Sequence, residues 1–178
     1  RNNLIVKNSA SVQGGGIFNS TGATATVNNS TISGNTTTTG SGQGGSGIAN
    51  RGAITINNST IAGNTGGSFG GGVANIGGVM TIDNSTISGN TAVTNGAGID
   101  NAGAASLTIR NSTISGNTSG FAGGIVNRGA LTLDSVTIAG NTFTSAPGGG
   151  ALLQILGSTT IANSILANST GGPDCYLD

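Results

Sequence analysis

One eight-residue stretch, NSTISGNT, recurs along the chain and constrains its fold more than any other feature. It occupies residues 84–91 and 111–118, with near-copies at 29–36 and 58–65. The apolar residue at its fourth position belongs to a column whose members lie 24 to 29 residues apart: Ile5, Ile32, Ile61, Ile87, Ile114, Ile138 and Leu166. A period of this length indicates a repeat architecture, in which each unit stacks on its neighbours.

Each repeat contains three short strand patterns. An apolar–Thr–apolar alternation precedes each anchor from Ile32 onward, and this period of two is typical of a strand. A further strand follows each glycine cluster, as in GGGIFN at 14–19 and GAGIDN at 96–101. With the anchor segment, these patterns predict an all-β solenoid of about six coils of ~27 residues, whose strands pair in parallel between coils. A β-sandwich is the alternative, but it does not predict one residue type at one place in six successive repeats.

The combined repeat resembles a known superfamily. GG-x-(Ile/Val)-x-Asn, followed by (Leu/Ile)-Thr-(Ile/Leu)-x-Asn-Ser-Thr-Ile-Ser-Gly-Asn, resembles the right-handed parallel β-helix, or pectate-lyase-like, repeats. It is especially similar to repeats of bacterial secreted and surface proteins, and its first half is similar to those of polymorphic outer membrane proteins. The resemblance covers nearly the whole chain and implies a right-handed, single-stranded parallel β-helix that is secreted or lies on a bacterial cell surface. That superfamily includes lyases, adhesins and passenger domains, so the resemblance does not imply one activity.

The repeat also suggests a domain boundary near the C-terminus. Residues 1–170 are expected to form the β-helix domain. Residues 171–178, GGPDCYLD, depart from the repeat and are expected to be a tail or the start of another segment. Cys175 is the only cysteine of the chain and is therefore a candidate cross-link to another chain or segment.

Asparagine columns are expected to stack at the corners of the coils. A side-chain amide both donates and accepts hydrogen bonds, so it can bind its counterparts in the coils above and below. Asparagine also tolerates the left-handed backbone of a sharp turn. One predicted ladder consists of Asn19, Asn50, Asn75, Asn101 and Asn127, and the other of Asn35, Asn64, Asn90, Asn117 and Asn141. A further column, Asn29, Asn58, Asn84 and Asn111, matches Asn-x-Ser/Thr, but the repeat itself produces that tripeptide, so it is a poor glycosylation signal.

The apolar anchors are expected to point inward. They form a core ladder of Ile32, Ile61, Ile87, Ile114, Ile138 and Leu166. Burial of such aliphatic side chains supplies the main favourable free energy of folding. Since no single repeat can bury its own apolar face, the coils are expected to fold only together.

Composition argues against catalysis. The chain contains no His, no Glu and one Cys, so zinc, triad and paired-carboxylate chemistry lack their residues. No catalytic residue, metal or cofactor is therefore expected. The formal net charge is zero, which gives no electrostatic signal for nucleic acid, and no apolar run is long enough for insertion into a membrane.

The few charged residues are interpreted as structural. Asp83, Arg110 and Asp134 occupy one position of successive repeats and predict an exposed charge ladder. Asp100 in GAGIDN has a weak similarity to a Gly-Asp calcium turn. Because neighbouring repeats carry Ala74 and Val126 there, a calcium site is not expected.

The loop between each anchor strand and the next glycine cluster is the most variable part of the repeat. Its longest version includes residues 36–43, and Phe69, Phe121 and Phe143 lie in the same loop series. Insertions in solenoids often gather on a binding face, so these aromatic residues are a candidate binding loop for a glycan or another partner. The other interpretation is that each Phe covers the rim of its own coil.

These observations favour a non-catalytic structural or adhesive protein. The first and last repeats begin and stop at nearly the same phase, and neither end shows a capping helix. We therefore expect either end-to-end self-association into an extracellular filament or flanking domains of the same polypeptide. The alternative is a carbohydrate-binding or inactive polysaccharide-lyase-like module, with a glycan or a host surface as its partner.

Overall fold

The computed structural model describes residues 2–38, 44–145 and 148–178, and these form a parallel β-solenoid. Residues 39–43, which include most of the longest loop, lie outside the described residues. Each complete coil contributes one strand to each of three sheets. The all-β solenoid predicted from the repeat is thus confirmed, with about six coils and three main strands in each.

The strands of the first three coils come first in the chain. They are β1 (Leu4–Val6), β2 (Ser9–Ala10), β3 (Ile17–Asn19), β4 (Thr24–Asn28), β5 (Thr31–Ser33), β6 (Thr36–Thr37), β7 (Ile48–Asn50), β8 (Ala53–Asn57), β9 (Thr60–Ala62), β10 (Val73–Ile76) and β11 (Val79–Asp83). The remaining strands are β12 (Thr86–Ser88), β13 (Ile99–Ala102), β14 (Ser106–Arg110), β15 (Thr113–Ser115), β16 (Thr118–Ser119), β17 (Ile125–Asn127), β18 (Ala130–Asp134), β19 (Thr137–Ala139), β20 (Thr142–Phe143), β21 (Leu152–Gln154), β22 (Ser158–Ala162), β23 (Ile165–Ala167) and β24 (Cys175–Leu177).

Three sheets run along the solenoid. The first sheet has the order β1-β5-β9-β12-β15-β19-β23, the second β3-β7-β10-β13-β17-β21-β24, and the third β4-β8-β11-β14-β18-β22. The strands within each sheet pair in parallel with the equivalent strands of adjacent coils. Two short pairs, β2–β6 and β16–β20, add hydrogen bonds beside the first sheet.

The core lies between the three sheets. The register places the anchor residues directly above one another, from Ile5 against Ile32 to Ile138 against Leu166. Within the inner coils these anchors are fully buried, whereas Ile5 and Leu166 in the outermost coils are half-buried. Strand alternation explains why the anchors point inward, because every second side chain of a strand points to the same face.

The two asparagine ladders are confirmed. In the ladder that follows the first sheet, the backbone N and Nδ2 of Asn64 both donate to Oδ1 of Asn90, at 2.9 and 3.0 Å. Nδ2 of Asn64 also donates to the carbonyl of Ile32 at 3.0 Å. In the other ladder, Nδ2 of Asn50 donates to Oδ1 of Asn75 at 2.8 Å. These buried amides therefore have their partners in adjacent coils, which fixes the register of the stack.

The column of Asn29, Asn58, Asn84 and Asn111 has a different role. These four side chains are exposed, and their φ angles lie between 46° and 49°. The serines that follow these asparagines form a further ladder, which was not predicted from the sequence. In this ladder the backbone N of Ser59 donates to Oγ of Ser85 at 3.1 Å. The exposed asparagines thus occupy the left-handed backbone conformation of the turn, while the neighbouring serines form hydrogen bonds from one coil to the next.

The C-terminal segment continues the solenoid. Residues 171–178 were expected to be a tail or the start of another segment. They contain β24, which pairs in parallel with β21 and places Cys175 opposite Leu152. The asparagine ladder ends nearby, because Ser169 replaces Asn in the last repeat and its backbone N donates to Oδ1 of Asp174 at 2.8 Å. The Asp174 carboxylate thereby takes the place of the amide oxygen that another asparagine would supply.

Candidate functional site

The outer face of the second sheet is unusual because its side chains are buried. Asp100 lies in register with Ala74 and Val126, and all three point away from the core. Their exposed fractions are nevertheless 5% or less. The preceding loops fold over this face, since Phe121 packs against Val126 and Leu153. The sheet and its loops therefore enclose space outside the main core.

Two clefts open on this face. The ion-pair cleft has a volume of about 220 Å³ and is lined by Phe69, Ile76, Asp100, Ala102 and Arg128. The tyrosine cleft has a volume of about 250 Å³ and is lined by Asn95, Phe121, Leu153, Ile155, Tyr176 and Asp178. Their lining residues come from successive coils, so the two clefts follow each other along the solenoid.

A buried ion pair forms the polar part of the first cleft. Nη1 of Arg128 donates to Oδ1 of Asp100 at 2.7 Å, from one coil to the next. The Asp100 side chain is 4% exposed and that of Arg128 is 22% exposed. Burial raises the pKa of Asp100 to about 6, and Arg128 offsets only part of this effect. The carboxyl group therefore keeps its proton up to a higher pH than an exposed aspartate does.

The aromatic residues of the candidate binding loop separate into two groups. Phe69 and Phe121 are half-buried, and each lines one of the clefts. Phe143 requires a correction, because it is 3% exposed and therefore has no free face for a ligand. Its ring lies beside the backbone of Gly148 and Gly172, which leaves room for it under the last coil.

The charge ladder lies on the third sheet, away from these clefts. The register places Arg110 between Asp83 and Asp134. Asn111 donates to Oδ1 of Asp83 and Asn163 donates to Oδ1 of Asp134, both at 3.0 Å. The two carboxylates thus accept hydrogen bonds from amides of the next coil, as Oδ1 of Asn28 in the same column accepts from Nδ2 of Asn57 at 3.0 Å.

Cys175 has a free thiol at the start of β24 and is exposed. Partial burial raises the pKa of this thiol, and the charge of the neighbouring Asp174 raises it further. A raised pKa lowers the fraction of reactive thiolate at neutral pH, so this position has no feature of an activated nucleophile.

The repeat pattern did not reveal the Asp100–Arg128 pair. Asp100 is an isolated charge in an apolar column of the sequence, and Arg128 was not among the predicted site residues. The two residues occupy different columns, since Arg128 follows Asn127 whereas Asp100 precedes Asn101. A search for opposite charges on either side of the asparagine column, in successive repeats, would have found the pair.

The remaining chemistry of the described residues is limited. Within residues 2–38, 44–145 and 148–178, no group of three or more His, Cys, Asp or Glu side chains could hold a metal ion. The same ranges contain no helix with the length and apolar character needed to cross a membrane. The clefts on the second sheet offer hydrogen-bonding groups and apolar surface.

Comparison with family models, with curated proteins and with solved structures gave no match for this chain.

Proposed function

We propose that the chain is a non-catalytic structural or adhesive solenoid of a secreted or cell-surface protein, where it forms part of an extended rod. The main support for this proposal is the exposure of apolar residues in the terminal coils. Ile5 and Ile17 at one end are only half-buried, although their equivalents in the next coil are fully buried. At the other end Ile161 is 45% exposed, whereas Leu133, its equivalent in the preceding coil, is fully buried. Both ends thus present apolar core positions together with strand edges, a combination that favours further strand pairing.

A second copy of the chain, stacked end to end, would cover these surfaces. The last strands of the first sheet and the third sheet, β23 and β22, would then lie beside β1 and β4 of the next copy. Such a contact joins different surfaces of two identical chains, so it extends into a filament unless it closes into a ring. Further coils of the same polypeptide would cover the ends in the same way, and the experiment below distinguishes these two cases.

Other observations support a role without catalysis at a bacterial surface. The chain has no His and no Glu. Asp83 and Asp134 share the third sheet but have the coil of Arg110 between them, and Asp100 lies on the second sheet in an ion pair with Arg128. Such a set lacks the paired acid and base of a polysaccharide hydrolase. The secreted or cell-surface location is supported by the resemblance of the repeats to those of bacterial surface proteins.

Light scattering and negative-stain microscopy over a wide concentration range test the proposed association. We expect oligomers or filaments that grow with concentration. The double variant Leu4→Lys, Val6→Lys places charges on the edge strand β1, where both residues are exposed, and should remain monomeric. Val79→Lys, Val93→Lys adds the same charges to exposed positions of inner coils and should assemble like the wild type. Monomers of the wild-type chain at every concentration would overturn self-association.

A further inference from the structure

The geometry points to the ion-pair cleft as a binding site for one ring of a neutral glycan, held by Arg128 and Asp100 and packed against Phe69. This inference goes beyond the proposed rod and does not depend on end-to-end association. It rests on three properties of the cleft, which are its charge balance, its hydrogen-bonding groups and its size.

The charge balance favours a neutral ligand. Arg128 and Asp100 lie 2.7 Å apart, so their charges compensate each other when the carboxyl group is ionised. An anionic ligand would compete with Asp100 for the guanidinium group, and a cationic ligand would compete with Arg128 for the carboxylate. A neutral polar molecule can bind both groups without separating them, and no residue of opposite charge has to move.

The hydrogen-bonding groups match neighbouring hydroxyls. A guanidinium group has five N–H donors and a carboxylate has about four acceptor positions, and the bond between Arg128 and Asp100 uses one of each. A hydroxyl both donates and accepts a hydrogen bond. Two adjacent hydroxyls of a sugar can therefore accept from Arg128 and donate to Asp100 at the same time.

The rest of the cleft provides an apolar wall of limited extent. Phe69 is half-buried and presents part of its ring, while Ile76 and Ala102 complete the lining. Pockets for drug-sized ligands have volumes of about 300–1,000 Å³, so a cleft of about 220 Å³ fits a smaller group. One sugar ring, with polar edges and an apolar C–H face, has the required size and chemistry.

The fold itself does not explain why these two charges are present. The coil that contains β10 carries Ala74 in the column of Asp100 and Ile76 in the column of Arg128. Buried ion pairs are often no more stabilising than apolar residues of similar volume. Apolar side chains at both positions are thus compatible with the solenoid, and the pair is better explained by binding.

The decisive variant is Asp100→Ala combined with Arg128→Ile, which copies the residues of the β10 coil. Neutral hexasaccharides of glucose, mannose, galactose and xylose serve as probes in titration calorimetry, with oligogalacturonate as the anionic comparison. We expect at least one neutral probe to bind the wild-type chain. The double variant should lose about tenfold in affinity or more, which corresponds to ~1.4 kcal/mol. Phe69→Ala should also weaken binding.

Phe18→Ala is the matched control. Phe18 occupies the column of Asp100 in the first coil, is 46% exposed and does not line the cleft. We expect this variant to bind like the wild type. Circular dichroism of the double variant verifies that it remains folded. Binding of oligogalacturonate alone, binding of no probe, or undiminished binding by the folded double variant would each overturn the assignment.

Discussion

The chain buries polar side chains in two different arrangements, the asparagine ladders and the Asp100–Arg128 pair. In a ladder, each amide binds an identical amide one coil away, as Asn64 binds Asn90 and Asn90 binds Asn117. The ion pair joins two different residues in two different columns and links two adjacent coils. The ladder follows the repeat, whereas the ion pair departs from it.

This difference separates residues that build the solenoid from residues that have another purpose. Every coil that adds an asparagine also satisfies the asparagine before it, so the fold alone explains the ladder. The ion pair has no such explanation, because Ala74 and Ile76 fill the equivalent positions of another coil. In a repeat protein, a buried polar group that departs from the column is therefore the better candidate for function.

The largest effect is expected from breaking a ladder at its centre with Asn90→Ala. This change removes the acceptor of two hydrogen bonds from Asn64 and the donor of bonds to Ile61 and Asn117. A buried polar group without its partner costs about 1–3 kcal/mol. Groups of Asn64, Ile61 and Asn117 each lose a partner, so the free energy of unfolding should fall by about 4 kcal/mol. Chemical denaturation measures this fall.

Asn84→Gly is the control for this prediction. Asn84 lies in the same NSTISGNT stretch, but its side chain is exposed and its φ of 46° suits glycine. Loss of this exposed side chain should change the free energy of unfolding by less than ~0.5 kcal/mol. If the two variants were equally stable, the hydrogen bonds of the ladder would contribute little to the stability of the solenoid.

The second effect concerns the ion pair. Arg128→Ala leaves the Asp100 carboxyl group buried without its partner, and breaking a buried pair in this way costs about 3 kcal/mol or more. The double variant Asp100→Ala, Arg128→Ile removes both charges and should be as stable as the wild type or more stable. Denaturation of both variants measures the contrast. A double variant as unstable as Arg128→Ala would show that the pair is part of the structural framework.

The sequence predicted what the repeat specifies. Constant columns gave the strand register, as in Ile32 against Ile61, and they gave the partners of the ladder asparagines. These predictions succeeded because a parallel stack places the same position of each repeat in contact, so one residue type recurring in a column reveals both members of a contact.

The clefts could not be predicted in the same way. Phe69 and Phe121 belong to loops of different lengths, and the way these loops fold over the second sheet depends on packing that no repeat encodes. The Asp100–Arg128 contact crosses two columns, so alignment of the repeats does not bring it out. Likewise, β24 lacks the GG-x-(Ile/Val)-x-Asn pattern, yet its backbone pairs with β21.

The third effect is a dependence of stability on pH that arises from the ion pair and not from the ladders. The ordinary pKa of 3.8 describes Asp100 in the unfolded chain, whereas burial raises its pKa to about 6 in the folded chain. The folded state therefore retains this proton at pH values where the unfolded state has lost it. The contribution to stability is complete below about pH 4 and is lost as the pH rises through about 6.

Each unit of pKa difference is worth about 1.4 kcal/mol. We expect the free energy of unfolding to fall by about 2 kcal/mol over this pH range, which is less than the full value because solvent reaches the cleft. Thermal unfolding between pH 4 and pH 7 measures it. Asp100→Asn cannot ionise and should remove this dependence, whereas the asparagines of the ladders do not titrate. A pH profile that Asp100→Asn leaves unchanged would assign the dependence to other groups.

The smallest effect tests the exposed asparagines, which share the repeat with the ladder but not its burial. At φ of 46°, Asn84 has a left-handed backbone that glycine adopts freely and that a β-branched residue adopts with strain. Asn84→Val should therefore lower the free energy of unfolding by about 1 kcal/mol relative to Asn84→Gly. Thr86→Val, at a half-buried position of β12 where valine is suited to the strand, controls for the added apolar side chain. Equal stability of Asn84→Val and Asn84→Gly would mean that the turn relaxes without strain, and that backbone conformation is not the reason for asparagine in this column.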